Sequence, residues 1–203
     1  MSVALSDAQV EENKSTFLSI LGGIVEREGL EDLIAWLERS DFFYAPASTR
    51  FHGNYDGGLC EHSLNVYKCL LSMVERYAEQ YTIPKESVIV AALLHDLCKA
   101  NTYKKGSRNR KNADGRWESY LTYEFDERFP GGHGEKSAFI IQQFIKLTPD
   151  EYLAIRWHMG GYDCAVKGGD RAISNAYDQC KLAAMLHLAD SEASHLLEKT
   201  VVW

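Results

Sequence analysis

A histidine–aspartate pair in a strongly apolar run is the feature that most constrains the fold. Residues 88–98 read VIVAALLHDLC, and this run is apolar on almost every side, which predicts a central, buried helix. Burying a histidine and an aspartate inside such a helix costs several kcal/mol unless something binds them. A metal ion would bind both His95 and Asp96. Neighbouring helix residues project about 100° apart, so the ion has to lie at the edge of the helix face, where other elements supply further ligands.

Helical periodicity dominates the rest of the chain, and we predict a mainly helical, all-α fold. Ser6 followed by Gln9 is a capping-box pattern that marks the start of the first helix. Between residues 101 and 130 the sequence changes to polar and aromatic alternation, which predicts a small β-hairpin insertion around residues 101–125 with its turn near Ala113 to Gly115. The later predicted helices cover about residues 31–39, 60–81, 135–146, 150–158 (with Thr148 as N-cap) and 172–197, together with the buried helix that starts near Pro84.

The length of the chain favours one domain. It has 203 residues, within the usual range for a single domain. We predict one domain over residues 1–203, made of an N-terminal helical extension (1–50) and a core (51–193) that carries the metal site. A chain of this size buries about 70% of its unfolded surface, so metal ligands are not needed merely for folding. The five cysteines form no CxxC pair, which argues against a disulfide framework or a zinc ribbon.

Charge and hydropathy exclude some classes of partner. The 22 basic and 29 acidic residues give a net charge of −7, so sequence-independent binding of nucleic acid through a basic surface is not expected. No apolar run approaches the roughly 18 residues that a membrane helix needs. The first residues lack the basic flank and apolar centre of a signal peptide. We therefore expect a cytoplasmic protein without a membrane partner.

Further candidate metal ligands occur on separate predicted elements. His62 lies near the start of a long helix, His133 follows two glycines, and His158 lies at a helix end. The ordered set His62, His95-Asp96, His133, His158, Asp190 resembles the HD-domain metal-dependent phosphohydrolase superfamily, whose pattern is H, HD, H, H, D on successive helices. The resemblance extends from about residue 51 to residue 193 and implies an HD-domain helical bundle. The segments NYDGGLCEHS and ALLHDLCK are similar to those of nucleic-acid-processing members, among them a bacterial 3′ exoribonuclease group and a conjugative relaxase group.

The resemblance implies a centre for two divalent metal ions. Members without the two middle histidines bind one metal, so the presence of both His133 and His158 indicates two. A subgroup with a third metal has a glutamate four residues before the first histidine, where this chain has Gly58. Imidazole and carboxylate ligands suit Fe, Mn, Ni, Co or Zn better than Mg or Ca. The implied ligands of the first metal are His62, His95, Asp96 and Asp190, and those of the second are His133, His158 and a bridging Asp96.

The same resemblance implies hydrolysis of a phosphate mono- or diester of a nucleotide or of a single-stranded nucleic-acid end. A metal-activated hydroxide would attack phosphorus without a protein nucleophile, and Asp96 would be the shared catalytic ligand. Lys99 lies four residues after His95 and thus on the same predicted helix face; it either holds a phosphate oxygen or is a solvated lysine at the helix end. His52 is either a proton donor or substrate contact, or a plain loop histidine.

The predicted hairpin carries six cations within thirteen positions of an acidic chain. Such a run is usually a solvated face, but it follows directly after the HDLCK segment and is alternatively a flap that binds phosphate. The candidate substrate-binding residues are Lys99, Lys104, Lys105, Arg108 and Arg110.

Two other functional classes use the same ligand set. A small branch of the superfamily contains di-iron oxygenases that act on C–H bonds, and composition does not separate this chain from them. A binding or regulatory module that keeps the metal for structure ranks lowest, because such a module is expected to lack a ligand and none is missing here. The physiological substrate, the metal identity and the oligomeric state stay open at the level of sequence.

Overall fold

Helices make up most of the chain in a computed structural model, which describes residues 4–23, 27–112, 114–127 and 129–200. One two-stranded antiparallel sheet lies between the fourth and fifth helices, which confirms the mainly helical fold with a hairpin insertion. The elements follow in the order α1 (Asp7–Leu21), α2 (Leu30–Arg39), α3 (Gly58–Arg76), α4 (Lys85–Leu94), β1 (Tyr103–Lys111), β2 (Trp117–Phe125), α5 (His133–Ile141), α6 (Pro149–Trp157), α7 (Cys164–Lys167), α8 (Ala172–Gln179) and α9 (Lys181–Glu192).

The N-terminal helices pack into the same apolar cluster as the central ones. The predicted capping box is present, with the Gln9 N–H donating to Ser6 Oγ at 3.4 Å and the Ser6 N–H donating to Gln9 Oε1 at 2.9 Å. Phe17 of α1 contacts the ring of Phe42 at a centroid distance of 5.1 Å. Phe17 and Leu93 of α4 belong to one cluster of buried residues, so residues before 50 help to hold the helix that leads to the candidate site.

α4 is buried, as its composition predicts, but it ends at Leu94. The prediction that His95 and Asp96 lie inside the helix is therefore wrong. The cause is local, because the His95 Nδ1–H donates to the Ala92 carbonyl at 2.8 Å and occupies an acceptor that a continuing helix would use. The backbone of Asp96 then leaves helical geometry, at φ −106° and ψ 21°, and a 3₁₀ turn over Leu97–Lys99 follows.

Other helix boundaries also differ from the predicted ones, and α5 ends at Ile141 rather than near residue 146. α3 ends at Arg76 rather than near residue 81, because the side chains from 75 to 80 are exposed and have no core to pack against. The single helix predicted over 172–197 is broken at Cys180, whose backbone is extended at φ −120° and ψ 103°. The break lets α9 run between α3 and α6, against which it packs.

The hairpin is anchored to the helical body at its base. Tyr103 pairs with Phe125 there, and Lys111 pairs with Trp117 at the far end. The Tyr123 hydroxyl donates to Asp56 Oδ1 at 2.6 Å, which ties β2 to the loop before α3. Of the predicted turn, Ala113 lies outside the described residues. None of the described helices combines the length and the apolar character that crossing a membrane requires.

Candidate metal centre

The predicted ligands come together at the centre of the helical body. His62 lies on α3, His95 and Asp96 follow α4, His158 follows α6, and Asp190 lies on α9. The Nε2 atom of His62 is 3.1 Å from His95 Nε2 and 3.3 Å from Asp190 Oδ1. Groups of these side chains have their ligand atoms within 4.8 Å of one another, and His133 joins Asp96 in one such group.

Asp96 lies between two sets of histidines. Its Oδ2 is 3.5 Å from His62 Nε2 and 3.4 Å from His95 Nε2. Its Oδ1 is 3.5 Å from His158 Nε2. One carboxylate thus directs one oxygen toward His62 and His95 and the other oxygen toward His158.

Hydrogen bonds fix the orientation of the imidazoles. The Nδ1–H of His95 donates to Ala92, as described above, and the Nδ1–H of His158 donates to the Ile155 carbonyl at 2.7 Å. Because a carbonyl oxygen only accepts, both rings carry a proton on Nδ1 and direct Nε2 to the centre. In this orientation Nε2 is the nitrogen that would bind a metal ion.

The residues present fit divalent metal ions. Among the described residues, the buried side-chain atoms without a hydrogen-bond partner are Asp96 Oδ1, His133 Nδ1 and His158 Nε2. A buried polar atom left unsatisfied costs about 1–3 kcal/mol, so three of them in one place indicate a missing partner. Imidazole nitrogens and carboxylate oxygens together are the donor set of transition-metal ions.

Lys99 is buried beside Asp96 rather than solvated. Its Nζ donates to Asp96 Oδ2 at 2.6 Å, and its side chain is nearly inaccessible. Burial opposes ionisation of Asp96, but Lys99 and the neighbouring histidines outweigh it and hold the pKa of that carboxyl well below its usual range. The interpretation of Lys99 as a solvated lysine at a helix end is wrong. Its ammonium has further N–H donors beyond the one directed at Asp96.

His52 lies next to the cluster. Its ring centroid is 4.8 Å from that of His62, and its Nε2 is 3.5 Å from Ser194 Oγ. Burial first, and the positive charge on His62 second, lower the pKa of His52 to about 4. A neutral imidazole at pH 7 favours a hydrogen bond to substrate over the role of a protonated acid.

A cavity of about 630 Å³ lies over the candidate metal centre. Lys99 is among the predicted substrate-binding residues that line it, whereas the four hairpin cations are not among the described lining residues. Three of those cations are paired with carboxylates: Lys104 with Asp126 at 3.2 Å, Lys105 with Asp56 at 2.7 Å and Arg110 with Glu118 at 2.6 Å. The described residues that line the cavity include His52, Asp96, His133 and Asp190 from the predicted site, and Phe51, Tyr103, Phe125, Tyr162 and Lys167 around them.

Sequence reasoning missed the residues that support the ligands. Glu198 accepts from the His62 Nδ1–H at 2.9 Å, and Asn65 Nδ2 donates to the same carboxylate at 3.3 Å. The Ser194 hydroxyl donates to Asp190 Oδ1 at 3.2 Å. A carboxylate behind a ligating histidine is a general expectation, but no spacing rule points to Glu198, which follows the last helical turn.

Comparison with known proteins agrees with this geometry. Residues 59–194 match the family model of the HD domain, which is more than half of the chain, and the chain belongs to that family. Over 84 residues it is 34% identical to dihydroneopterin 2′,3′-cyclic phosphate phosphodiesterase of Methanocaldococcus jannaschii. The aligned part is 40% of this chain and 31% of the relative, so the chain matches about a third of that protein. No solved structure matched the chain.

Proposed function

We propose that the chain is a metal-dependent phosphohydrolase that cleaves a phosphate mono- or diester of a nucleotide or of a nucleic-acid end. The observation that carries this proposal is the position of Asp96, which has one oxygen near His62 and His95 and the other near His158. The similarity to a cyclic phosphate phosphodiesterase supports the reaction class. In this proposal residues 51–193 are the metal-binding core of one domain, and residues 1–50 extend it.

The residues present would hold two ions that share Asp96. His62, His95 and Asp190 would complete one site, and His133 and His158 the other. Two divalent ions, when bound, lower the pKa of a coordinated water and withdraw charge from the phosphoryl oxygens. The choice of Fe, Mn, Ni, Co or Zn follows from the imidazole-rich donor set.

The protein's own groups position these ligands and the substrate. Lys99 holds Asp96 in place and lines the cavity, so its ammonium is available to donate to a phosphate oxygen. His52, neutral and beside His62, is placed to hydrogen-bond a substrate oxygen. The Nδ1–H bonds to Ala92 and Ile155 keep the imidazoles from rotating. Burial of Asp96 and of the imidazoles of His95 and His158 strengthens each of these interactions.

Metal content and turnover test the proposal on one sample. The purified protein is analysed for metals, loaded with Mn²⁺, and assayed against nucleoside monophosphates, a 2′,3′-cyclic nucleotide, cyclic dinucleotides and short single strands. We expect about two ions per chain, hydrolysis of at least one ester, and loss of hydrolysis in Asp96→Ala. Asp178→Ala, an exposed aspartate outside the cavity, is the matched control.

Other results of the same experiment discriminate between the possible functional classes. One ion per chain removes His133 and His158 from the ligand set. Oxygen uptake by the iron-loaded protein, without hydrolysis of any ester, supports an oxygenase instead. Turnover of no substrate with full metal content contradicts the proposed function.

A further inference from the structure

Large aromatic side chains with exposed rings surround the cavity over the metal centre. Phe51 is 71% exposed, Tyr162 is 64% exposed and Phe125 is 48% exposed, and all three line this cavity. They come from the loop before α3, the turn after α6 and the end of β2. A single exposed aromatic residue is ordinary, but three from separate segments around one cavity are typical of a surface that a ligand covers.

The segment that carries Tyr162 is fixed at both ends. On one side, the His187 Nδ1–H donates to the carbonyl of His158 at 2.7 Å, and the 3₁₀ turn Gly160–Tyr162 begins two residues later. On the other side, Asp163 is buried and accepts from Arg156 at 2.9 Å. Hydrogen bonds on both sides therefore hold the backbone that carries Tyr162, and its ring is exposed.

The cavity has the size and the chemistry of a small-molecule site. Its volume of about 630 Å³ falls within the range of about 300–1,000 Å³ for such sites. Asp96 and Lys99, which are buried, line the same cavity as the exposed aromatic rings. A phosphate ester bound at the metal centre would thus extend its other half toward aromatic faces. Flat, π-electron-rich groups stack on such faces, whereas sugars and glycerol do not offer a π-face.

On the basis of the proposed function, we propose that Tyr162 and Phe51 are specificity residues that stack on a planar heterocyclic ring of the substrate. The substrate class is then a phosphate ester that carries a nitrogen heterocycle, as nucleotides and related compounds do. Phosphate esters without such a ring are poor substrates. The rings act on binding, so their removal affects KM rather than kcat.

The test uses pairs of esters that differ only in the ring. Adenosine 5′-monophosphate is compared with ribose 5-phosphate, and adenosine 2′,3′-cyclic phosphate with 1-O-methylribose 2,3-cyclic phosphate, on the metal-loaded protein. The measured quantity is the ratio of kcat/KM for the two members of a pair. We expect the wild-type protein to prefer the ring-bearing member and Tyr162→Ala or Phe51→Ala to reduce this preference by roughly 5- to 150-fold, the range for loss of one stacking contact. We expect the loss of preference to come from a higher KM for the ring-bearing ester, with kcat unchanged.

Two control variants separate stacking from general damage. Tyr162→Phe keeps the ring and keeps the preference within about twofold of wild type, since stacking needs the π-face and not the hydroxyl. Tyr81→Ala removes an exposed tyrosine that is not among the residues lining the cavity and leaves both kinetic constants unchanged.

Failure of this inference is distinguishable from failure of the proposed function. If the wild-type protein hydrolyses both members of each pair equally well, or if both alanine variants keep the preference, the stacking assignment is wrong and the hydrolase stands. If no ester is hydrolysed, the proposed function fails. In that case, calorimetric titration of wild type and Tyr162→Ala with adenosine 5′-monophosphate tests the stacking assignment without any hydrolysis. Equal affinities of the two proteins overturn the assignment.

Discussion

Replacement of Glu198 by glutamine tests whether the Glu198 carboxylate supports the candidate metal ligand His62. The carboxylate of Glu198 accepts from the His62 Nδ1–H, with its two oxygens at 2.9 and 3.1 Å, and its side chain is only 2% exposed. Burial opposes its ionisation, but the charge on His62 outweighs this effect and lowers the pKa of Glu198 below its ordinary value. Glutamine keeps the shape and removes the charge.

The magnitude follows from the nature of this hydrogen bond. A hydrogen bond to a charged group contributes about 1.5–3 kcal/mol, against about 0.5–1.5 kcal/mol for a neutral pair. The difference of about 1–1.5 kcal/mol corresponds to roughly a 5- to 13-fold weaker metal affinity. Changes in residues that support metal ligands generally weaken affinity by about 10- to 100-fold, so we expect about a tenfold loss in Glu198→Gln and a larger one in Glu198→Ala.

The assay is a competition between the protein and a chelator of known affinity for Mn²⁺ or Zn²⁺. Glu79→Gln, at an exposed glutamate three residues after the end of α3, is the matched control and binds metal like wild type. Circular dichroism and thermal unfolding of the metal-free variants verify that the fold is kept. If Glu198→Gln is folded and binds metal as tightly as wild type, the supporting role of this carboxylate is refuted.

Three further predictions concern the framework of the site. Glu151 accepts from Arg27 at 3.1 Å and from Ser87 at 2.8 Å, and burial raises its pKa less than these partners lower it. Glu151→Gln should therefore lose about 1–3 kcal/mol of stability in urea unfolding at pH 7. The loss should shrink as the pH falls through the ordinary pKa of 4.5 and below; a constant difference contradicts the assignment. Gly160 has φ 54°, and an added Cβ would lie 2.2 Å from the His187 ring, so Gly160→Ala should lower the thermal midpoint and weaken metal binding, whereas Gly161→Ala, with open space around it, should change neither. Thr148→Ala should cost about 1 kcal/mol, because the hydroxyl caps α6, and an unchanged urea midpoint would refute this role.

The sequence allowed the set of converging side chains to be predicted, because the His95-Asp96 pair is costly to bury alone and the ordered histidines and aspartates resemble the HD-domain pattern. His62, His95, Asp96, His158 and Asp190 do meet in one place. The same reasoning failed for the backbone around them. Hydrophobic periodicity indicates which side chains are buried, but it does not show where a helix ends. His95 and Asp96 are buried although the helix ends before them, because the His95 side chain binds the Ala92 carbonyl.

The parts that were not predictable depend on tertiary contacts between distant segments. Glu198 reaches His62 across 136 positions of the chain, and no local pattern marks it. The hairpin was predicted correctly as a secondary structure, but its direction is set by the contacts of Tyr123 and Lys105 with Asp56. The hairpin cations are not among the described residues that line the cavity. Binding of phosphate by Lys104, Lys105, Arg108 and Arg110 stays a prediction.

The candidate ligands are distributed over five helices: α3, the ends of α4 and α6, α5 and α9. Metal binding is therefore expected to depend on the folding of the whole helical body. In the proposed two-ion centre, each ion would take ligands from several of these segments, and the two ions together would take them from all five. At a free ion concentration one hundred times Kd, each proposed site would add about 2.7 kcal/mol to the free energy of unfolding. Amide hydrogen exchange in all five helices should therefore slow together when metal is added, including in regions far from the cavity.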